Sequence, residues 1–141
     1  MTNNIQNPSR SLSFGEAVKT CFNKYITFSG RARRSEYWYF YLFNTICGFV
    51  ALGIDMALGT FSWEDGMGIV YGIYALAVLL PGLAVTFRRL HDTNRSAWWL
   101  LIGIIPFLGA IVLLVFVVQD SKPETNRFGA SPKYSGGDGW A

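Results

Sequence analysis

The chain has 141 residues, of which 51% are hydrophobic, 16% aromatic and only 15% charged, with a formal net charge of +3. Soluble domains carry about a quarter charged residues; here charge is scarce and also segregated, since residues 37–87 hold no Lys or Arg and residues 97–119 no charge of either sign. Three apolar stretches, each near the ~20 residues that cross a bilayer as a helix, exclude a soluble enzyme domain, a disordered chain and a nucleic-acid binder with a basic face. The expected fold is all-α: a polytopic membrane protein of three transmembrane helices plus an N-terminal amphipathic helix.

Residues 1–12 are polar and have neither the apolar core nor the cleavage site of a signal peptide, so they read as a flexible tail. A single membrane domain over residues 13–122 follows. Ser13-Phe14-Gly15-Glu16 fits a capping box. Behind it Phe14, Val18, Cys21, Phe22 and Tyr25 recur at three- and four-residue steps, opposite Glu16, Lys19, Asn23 and Lys24. This predicts an amphipathic helix over residues 13–28, too short and too charged to span. Two positions suit it: lying among the headgroups, which is favoured, or packing on the cytoplasmic ends of the spans.

The first span, residues 37–60, opens on Tyr37, Trp38, Tyr39, Phe40 and Tyr41, aromatics suited to the membrane boundary. Its one charge, Asp55, lies near the far end and reads as an interfacial carboxylate close to water rather than a functional group at mid-membrane. Phe61-Ser62-Trp63-Glu64-Asp65-Gly66 is an acidic turn. The second span, residues 67–87, contains Pro81-Gly82; the proline frees the carbonyl of Ala77 and kinks the helix. Gly68 and Gly72 have the spacing of a helix-contact motif, a weak signal in a glycine-rich chain. The third span, residues 97–118, opens on Trp98-Trp99 with Ser96 or Asn94 as N-cap, and Gly103, Pro106 and Gly109 interrupt it. Residues 123–141 form a polar tail, locally ordered at Asn126-Arg127-Phe128-Gly129 and unordered in the final Gly-rich stretch.

Six basic residues precede the first span, three lie between the second and third, and none lies between the first and second. Lys and Arg favour cytoplasmic flanks, so the N-terminus and the connection between the second and third spans of this multi-pass protein are expected in the cytoplasm, with Glu64 and Asp65 facing outward. Three crossings then put Lys122, Arg127 and Lys133 outside, the one inconsistency. The alternative is that the third stretch, broken at Pro106, re-enters and returns to the cytoplasmic side.

Cys21 and Cys47 fall on separate elements and His91 is the single histidine, which gives no metal site and no cofactor. His91 and Asp92 are neighbours whose side chains diverge by about 100° on a helix, so they do not form a base and its orienting partner. No nucleophile stands out, and no enzyme is expected. The specific candidates are two basic segments expected at one depth: Arg31, Arg33 and Arg34 with Glu36, and Arg88, Arg89 and Arg95 with His91 and Asp92. They read either as arginines that only fix orientation, or as a convergent pocket for anionic lipid headgroups or an acidic partner segment. Glu36 and Asp92, pairing across, turn the same residues into a clasp. The expected function is a non-enzymatic module binding anionic lipid or a partner protein through these residues, with a homo-oligomer or a larger membrane-protein partner and no nucleic acid. The alternative is a small oligomeric transporter or channel built around Pro81 and Pro106, with Asn44, Asp55 and the tyrosines of the second span as its polar candidates.

Gly30-Arg31-Ala32-Arg33-Arg34-Ser35-Glu36-Tyr37-Trp38, Arg88-Arg89-Leu90-His91-Asp92, Ser96-Ala97-Trp98-Trp99 and Asn126-Arg127-Phe128-Gly129, in that order, resemble the signature segments of the domain of unknown function 805 family. The resemblance covers about residues 14–132. Ala97 stands where glycine is expected and Phe128 where tyrosine is common. It implies a bacterial inner-membrane location and a bundle of a few helices. The family has no settled activity, so no catalytic residues carry over.

Overall fold

The computed structural model describes residues 10–129 and 131–133. In chain order it contains α1 (Phe14–Asn23), α2 (Arg34–Leu58), α3 (Ile69–Asp92), a 3-10 segment (Ala97–Ile104) and α4 (Leu108–Val118). Among the described residues there is no sheet, only isolated bridges joining Ser62 to Met67 and Asn126 to Gly129.

The capping signal at Ser13 is used: its hydroxyl oxygen accepts from the Glu16 N–H at 3.2 Å and its hydroxyl donates to the Glu16 carboxylate at 3.0 Å. The helix ends earlier than the periodicity suggests, at Asn23 rather than residue 28. Its buried face, Ala17, Thr20 and Cys21, packs on α2, where the Phe22 ring meets Phe40 and Phe43 edge-on. Residues 10–12 are not a free tail. Leu12 is buried, its N–H donates to Ser35 Oγ at 3.3 Å, and the Arg10 carbonyl accepts from Arg33 Nη1 at 3.0 Å. The remaining tail, residues 1–9, lies outside the described residues, as does the Gly-rich end.

Helices α2 and α3, of 25 and 24 residues, are both long and apolar enough to cross a membrane; at 1.5 Å per residue each is about 36 Å long. They pair antiparallel, tied at one end by Asp55 to Val70, midway by Tyr74 Oη donating to Asn44 Oδ1 at 2.6 Å, and at the other end by Arg88 to Glu36. Their outer faces (Leu42, Ile46, Phe49, Ile69, Ile73, Leu76) are exposed, which suits contact with hydrocarbon rather than water. The carbonyl of Ala77, which Pro81 leaves without its helical donor, accepts a hydrogen bond from the Tyr25 hydroxyl just after α1.

Asp55 corrects the expectation of an interfacial carboxylate near water. It is 0% exposed and accepts from Thr60 Oγ1 at 2.5 Å and from the N–H groups of Val70 and Tyr71 at 2.9 Å each. The first N–H groups of a helix have no partner within it, and an anion there also complements the helix dipole, so Asp55 of one span caps the next. Gly68 belongs to this device: a Cβ on it would stand 2.2 Å from Asp55 Cγ, whereas one on Gly72 would meet nothing within 4 Å. Within the chain, then, Gly68 makes room for the Asp55 carboxyl and Gly72 meets no neighbouring helix.

The third apolar stretch is not one helix over residues 97–118, and this too is a correction. The 3-10 arm, whose first turn Ser96 Oγ caps through the Trp98 N–H at 3.3 Å, stops before Pro106. Phe107 then takes φ 61 and ψ −59, and the Leu108 N–H closes a tight turn on the Pro106 carbonyl at 2.7 Å. Helix α4 folds back along the first arm. Gly109 permits the contact, since a Cβ there would lie 1.9 Å from the Ile102 carbonyl oxygen, and Trp99 meets Phe116 edge-on at 5.4 Å. Each arm is about 16 Å long, roughly half the hydrocarbon thickness of a bilayer. Both ends of this hairpin sit beside the Arg88 end of α3, and the chain leaving α4 returns to that end rather than emerging at the other. A uniformly apolar stretch carries no period from which such a reversal is read.

Candidate functional site

The two arginine segments converge. The Ala32 N–H donates to the Arg88 carbonyl at 2.8 Å and Arg89 Nη1 donates back to the Ala32 carbonyl at 3.2 Å, which stitches the connection before α2 to the last turn of α3. Asp92 is the centre of what forms there. Its carboxylate accepts from Arg31 Nε at 3.0 Å, Arg89 Nη1 at 2.5 Å and Ser121 Oγ at 2.5 Å, with no exposed surface.

Arg31 has five N–H donors and all are used: besides Asp92 Oδ1 they reach the carbonyls of Asp92 (2.9 Å), Lys122 (2.6 Å), Glu124 (2.8 Å) and Gly129 (3.2 Å). Arg89 also donates to the Val117 carbonyl at 3.0 Å and to that of Gln119. Arg88 pairs with Glu36 and donates to the Thr27 carbonyl at 3.1 Å; its Nη2 has no hydrogen-bond partner. The Cys21 Sγ lies 3.9 Å from Glu36 Oε1, and burial, then the Glu36 charge, push this thiol up, so it is an inert wall of the site. His91 Nδ1 lies 2.9 Å from the Gly30 carbonyl oxygen, and its ring stacks on Phe128 at 3.9 Å and 4°. Asn126 Nδ2 donates to the His91 carbonyl at 2.9 Å. Arg95 donates to Gln119 Oε1 at 2.7 Å and lies 4.0 Å over the Phe116 ring, at the root of the hairpin.

Six of the nine sequence candidates, Arg31, Glu36, Arg88, Arg89, His91 and Asp92, thus sit in a buried clasp. The three arginines are 0–3% exposed and, Arg88 Nη2 apart, spend their donors on carboxylates and carbonyls, so the clasp is closed rather than an open anion pocket. Sequence reasoning missed the other half of it: Ser121 and the carbonyls of residues 117, 119, 122, 124 and 129. A backbone acceptor has no residue signature, and a lone serine in a polar tail has no periodic one.

Arg33 and Arg34 lie elsewhere. With Ser11, Ser35, Asp120, Ser121 and Lys133 they line a polar cleft of about 390 Å³ at the start of α2. Asp120 accepts from Lys133 Nζ at 2.6 Å and from the Ser121 N–H at 2.8 Å, and pairs with Arg34 Nη2 at 3.3 Å. Burial alone would raise its carboxyl; Lys133, the Ser121 N–H and Arg34 outweigh that and hold it below the usual carboxylate range. Ser11, Arg34 and Ser35 are shared with a second cleft of about 430 Å³ that runs down α2 past Trp38, Tyr39 and Val118.

The family described as "Protein of unknown function (DUF805)" matches residues 25–130, which takes in both arginine segments, the hairpin and the Asn126–Gly129 bridge. Inner membrane protein YhaH of Escherichia coli (strain K12) is 51% identical over 111 residues, covering 77% of this chain and 89% of that protein. Inner membrane protein YhaI of the same strain is 44% identical over 110 residues, covering 78% and 89%. No solved structure matches the chain. The described helices, the two of them that are long enough to cross a bilayer, and these relatives agree: the chain belongs to the DUF805 family, and it is a bacterial inner-membrane protein.

Proposed function

We propose that the protein crosses the membrane twice, through α2 and α3, with its hairpin entering from the cytoplasmic side, both described chain ends in the cytoplasm, and a non-catalytic role in binding anionic phospholipid at that face. One observation carries this. With the third stretch folded back, all 12 Lys and Arg lie on segments at the clasp end of the α2–α3 pair, while the opposite end holds Glu64 and Asp65. The bias that favours positive residues in the cytoplasm then runs without exception, and the inconsistency of an external basic tail disappears. Arg10, Lys19, Arg34, Lys122 and Arg127 are exposed at that end, and each basic residue near an anionic leaflet contributes about 1 kcal/mol of attraction. Within this reading the clasp holds the architecture together and the exposed cations meet the lipid. Asp55, the charged candidate for a transport path, has its carboxylate engaged as a helix cap, which supports binding over transport.

Two measurements test the proposal. In intact cells a membrane-impermeant maleimide labels Glu64→Cys, and labels Thr125→Cys only after the membrane is permeabilised; labelling of Thr125→Cys from outside restores three crossings. Lipid that co-purifies with the protein is enriched in anionic headgroups over the bulk membrane; a bulk composition overturns the binding role.

A further inference from the structure

We infer that the slot between the end of α3 and the 3-10 arm binds a neutral, membrane-soluble phenol, whose hydroxyl donates to His91 Nε2. This goes beyond the phospholipid reading and shares with it only the placement of the hairpin in the bilayer. His91 Nδ1 lies 2.9 Å from the Gly30 carbonyl oxygen, and a carbonyl only accepts. Nδ1 therefore carries the ring proton, which leaves Nε2 of the neutral ring a bare acceptor. The backbone carbonyl of His91 is already taken by Asn126 Nδ2 and the Asn94 N–H. Nε2 has no partner among the described residues, although His91 is only 8% exposed. An acceptor left unmet in a nearly buried residue is costly, and a donor from a ligand removes that cost.

The slot gives such a donor a place. It holds about 410 Å³, with Phe87, Trp98, Leu100 and Leu101 as its apolar wall and His91 and Ser96 as polar members. Small-molecule sites have this make-up, an apolar and aromatic wall with a few fixed polar atoms. Ser96 Oγ already accepts from the Trp98 N–H. No Lys, Arg, Asp or Glu lines the slot among the described residues, so it favours a neutral ligand over an anionic headgroup. The Phe87 and Trp98 rings favour a flat aromatic one. Trp98 and Leu101 are 76% and 56% exposed on the arm that enters the bilayer, so the mouth admits a ligand from the hydrocarbon.

The test uses the full chain in phosphatidylcholine nanodiscs, labelled with nitrogen-15 at histidine; His91 is the one histidine, so its two ring nitrogens are read alone. Duroquinol is the phenol probe, and duroquinone is the same ring with carbonyls in place of hydroxyls. Without probe, Nδ1 is protonated and Nε2 bare. Duroquinol moves the Nε2 resonance upfield and half-saturates about fivefold below duroquinone at equal concentration in the membrane, the worth of one hydrogen bond. Ala97→Leu, which fills the slot from its wall, abolishes the duroquinol shift while the probe-free resonances, unchanged, report that the fold is kept. A protonated Nε2 in the probe-free protein overturns the acceptor. Equal half-saturation by the two probes, or a shift that never saturates, overturns the phenol. An undiminished shift in Ala97→Leu overturns the slot.

Discussion

Each end of the α2–α3 pair holds an aspartate with no exposed surface, Asp55 at one and Asp92 at the other, and the two are satisfied by opposite means. At the acidic end Asp55 takes two backbone N–H groups and a hydroxyl, all within 16 residues of itself in the chain. At the basic end Asp92 takes two guanidinium groups and a hydroxyl, from partners at Arg31, Arg89 and Ser121. The first device is local and uses neutral donors; it shapes a turn. The second is a charged network whose members come from the connection before α2, the end of α3 and the chain beyond the hairpin. Removing the carboxylate therefore has different consequences: at one end it orphans amides, at the other it strands buried cations.

The contrast breaks most severely at Asp92. Asp92→Ala leaves Arg31 and Arg89 buried without their counter-charge, and should cost about 3–5 kcal/mol in detergent unfolding; a cost under 1 kcal/mol would show that the clasp opens to water. Asp55→Ala should cost less, about 1–2 kcal/mol, as for other lost N-caps, with hydrogen exchange of the Val70 and Tyr71 amides accelerating. Gly68→Ala should fall in the same range, roughly 1–3 kcal/mol, because its Cβ overlaps the Asp55 carboxyl and forces it aside; a neutral result would show that the capped turn relaxes freely. Tyr25→Phe removes the donor from the carbonyl that Pro81 freed, for about 1 kcal/mol, read by differential scanning of the two proteins side by side.

The smallest effect is one of pH. Asp120 titrates below the ordinary carboxylate value in the folded protein, so its tie to Lys133 and Arg34 is fully present above about pH 4 and is lost as pH falls through the lowered folded value. Exchange of the Ser121 amide, which donates to Asp120, should accelerate on acidification below pH 4 in the wild type and show no such step in Asp120→Asn.

Much of this was legible in the residues. The apolar periodicity and charge gaps place the starts of α1, α2 and α3 to within three residues, while the ends of α1 and α3 differ by five, and Pro81 names the carbonyl that needs help. The two arginine segments sit at one depth because the helices between them have equal length, so their convergence also follows. The hairpin follows only as an alternative, from the basic residues after residue 119 and the break at Pro106, since residues 97–118 are apolar all round and neither face is marked. Pro106 warns of an interruption without saying which way the chain turns; Gly109 decides that, by letting one arm approach the backbone of the other. The clasp was half visible for a related reason. Arginines and carboxylates announce themselves by type, whereas the carbonyls that absorb most of the Arg31 donors belong to residues of any type.

Those carbonyls also set an order of events. Arg31 is made early, yet three of its acceptors belong to Lys122, Glu124 and Gly129, close to the end of the chain. During synthesis, when segments fold in the order they emerge, Arg31 lacks these acceptors, and Arg89 lacks those of Val117 and Gln119, while both long helices are being placed. They stay hydrated until those later segments emerge. Only when the last segment arrives are they withdrawn from water. The same arginines thus stand in solvent while α2 and α3 form and become the bolt of the finished fold only afterwards.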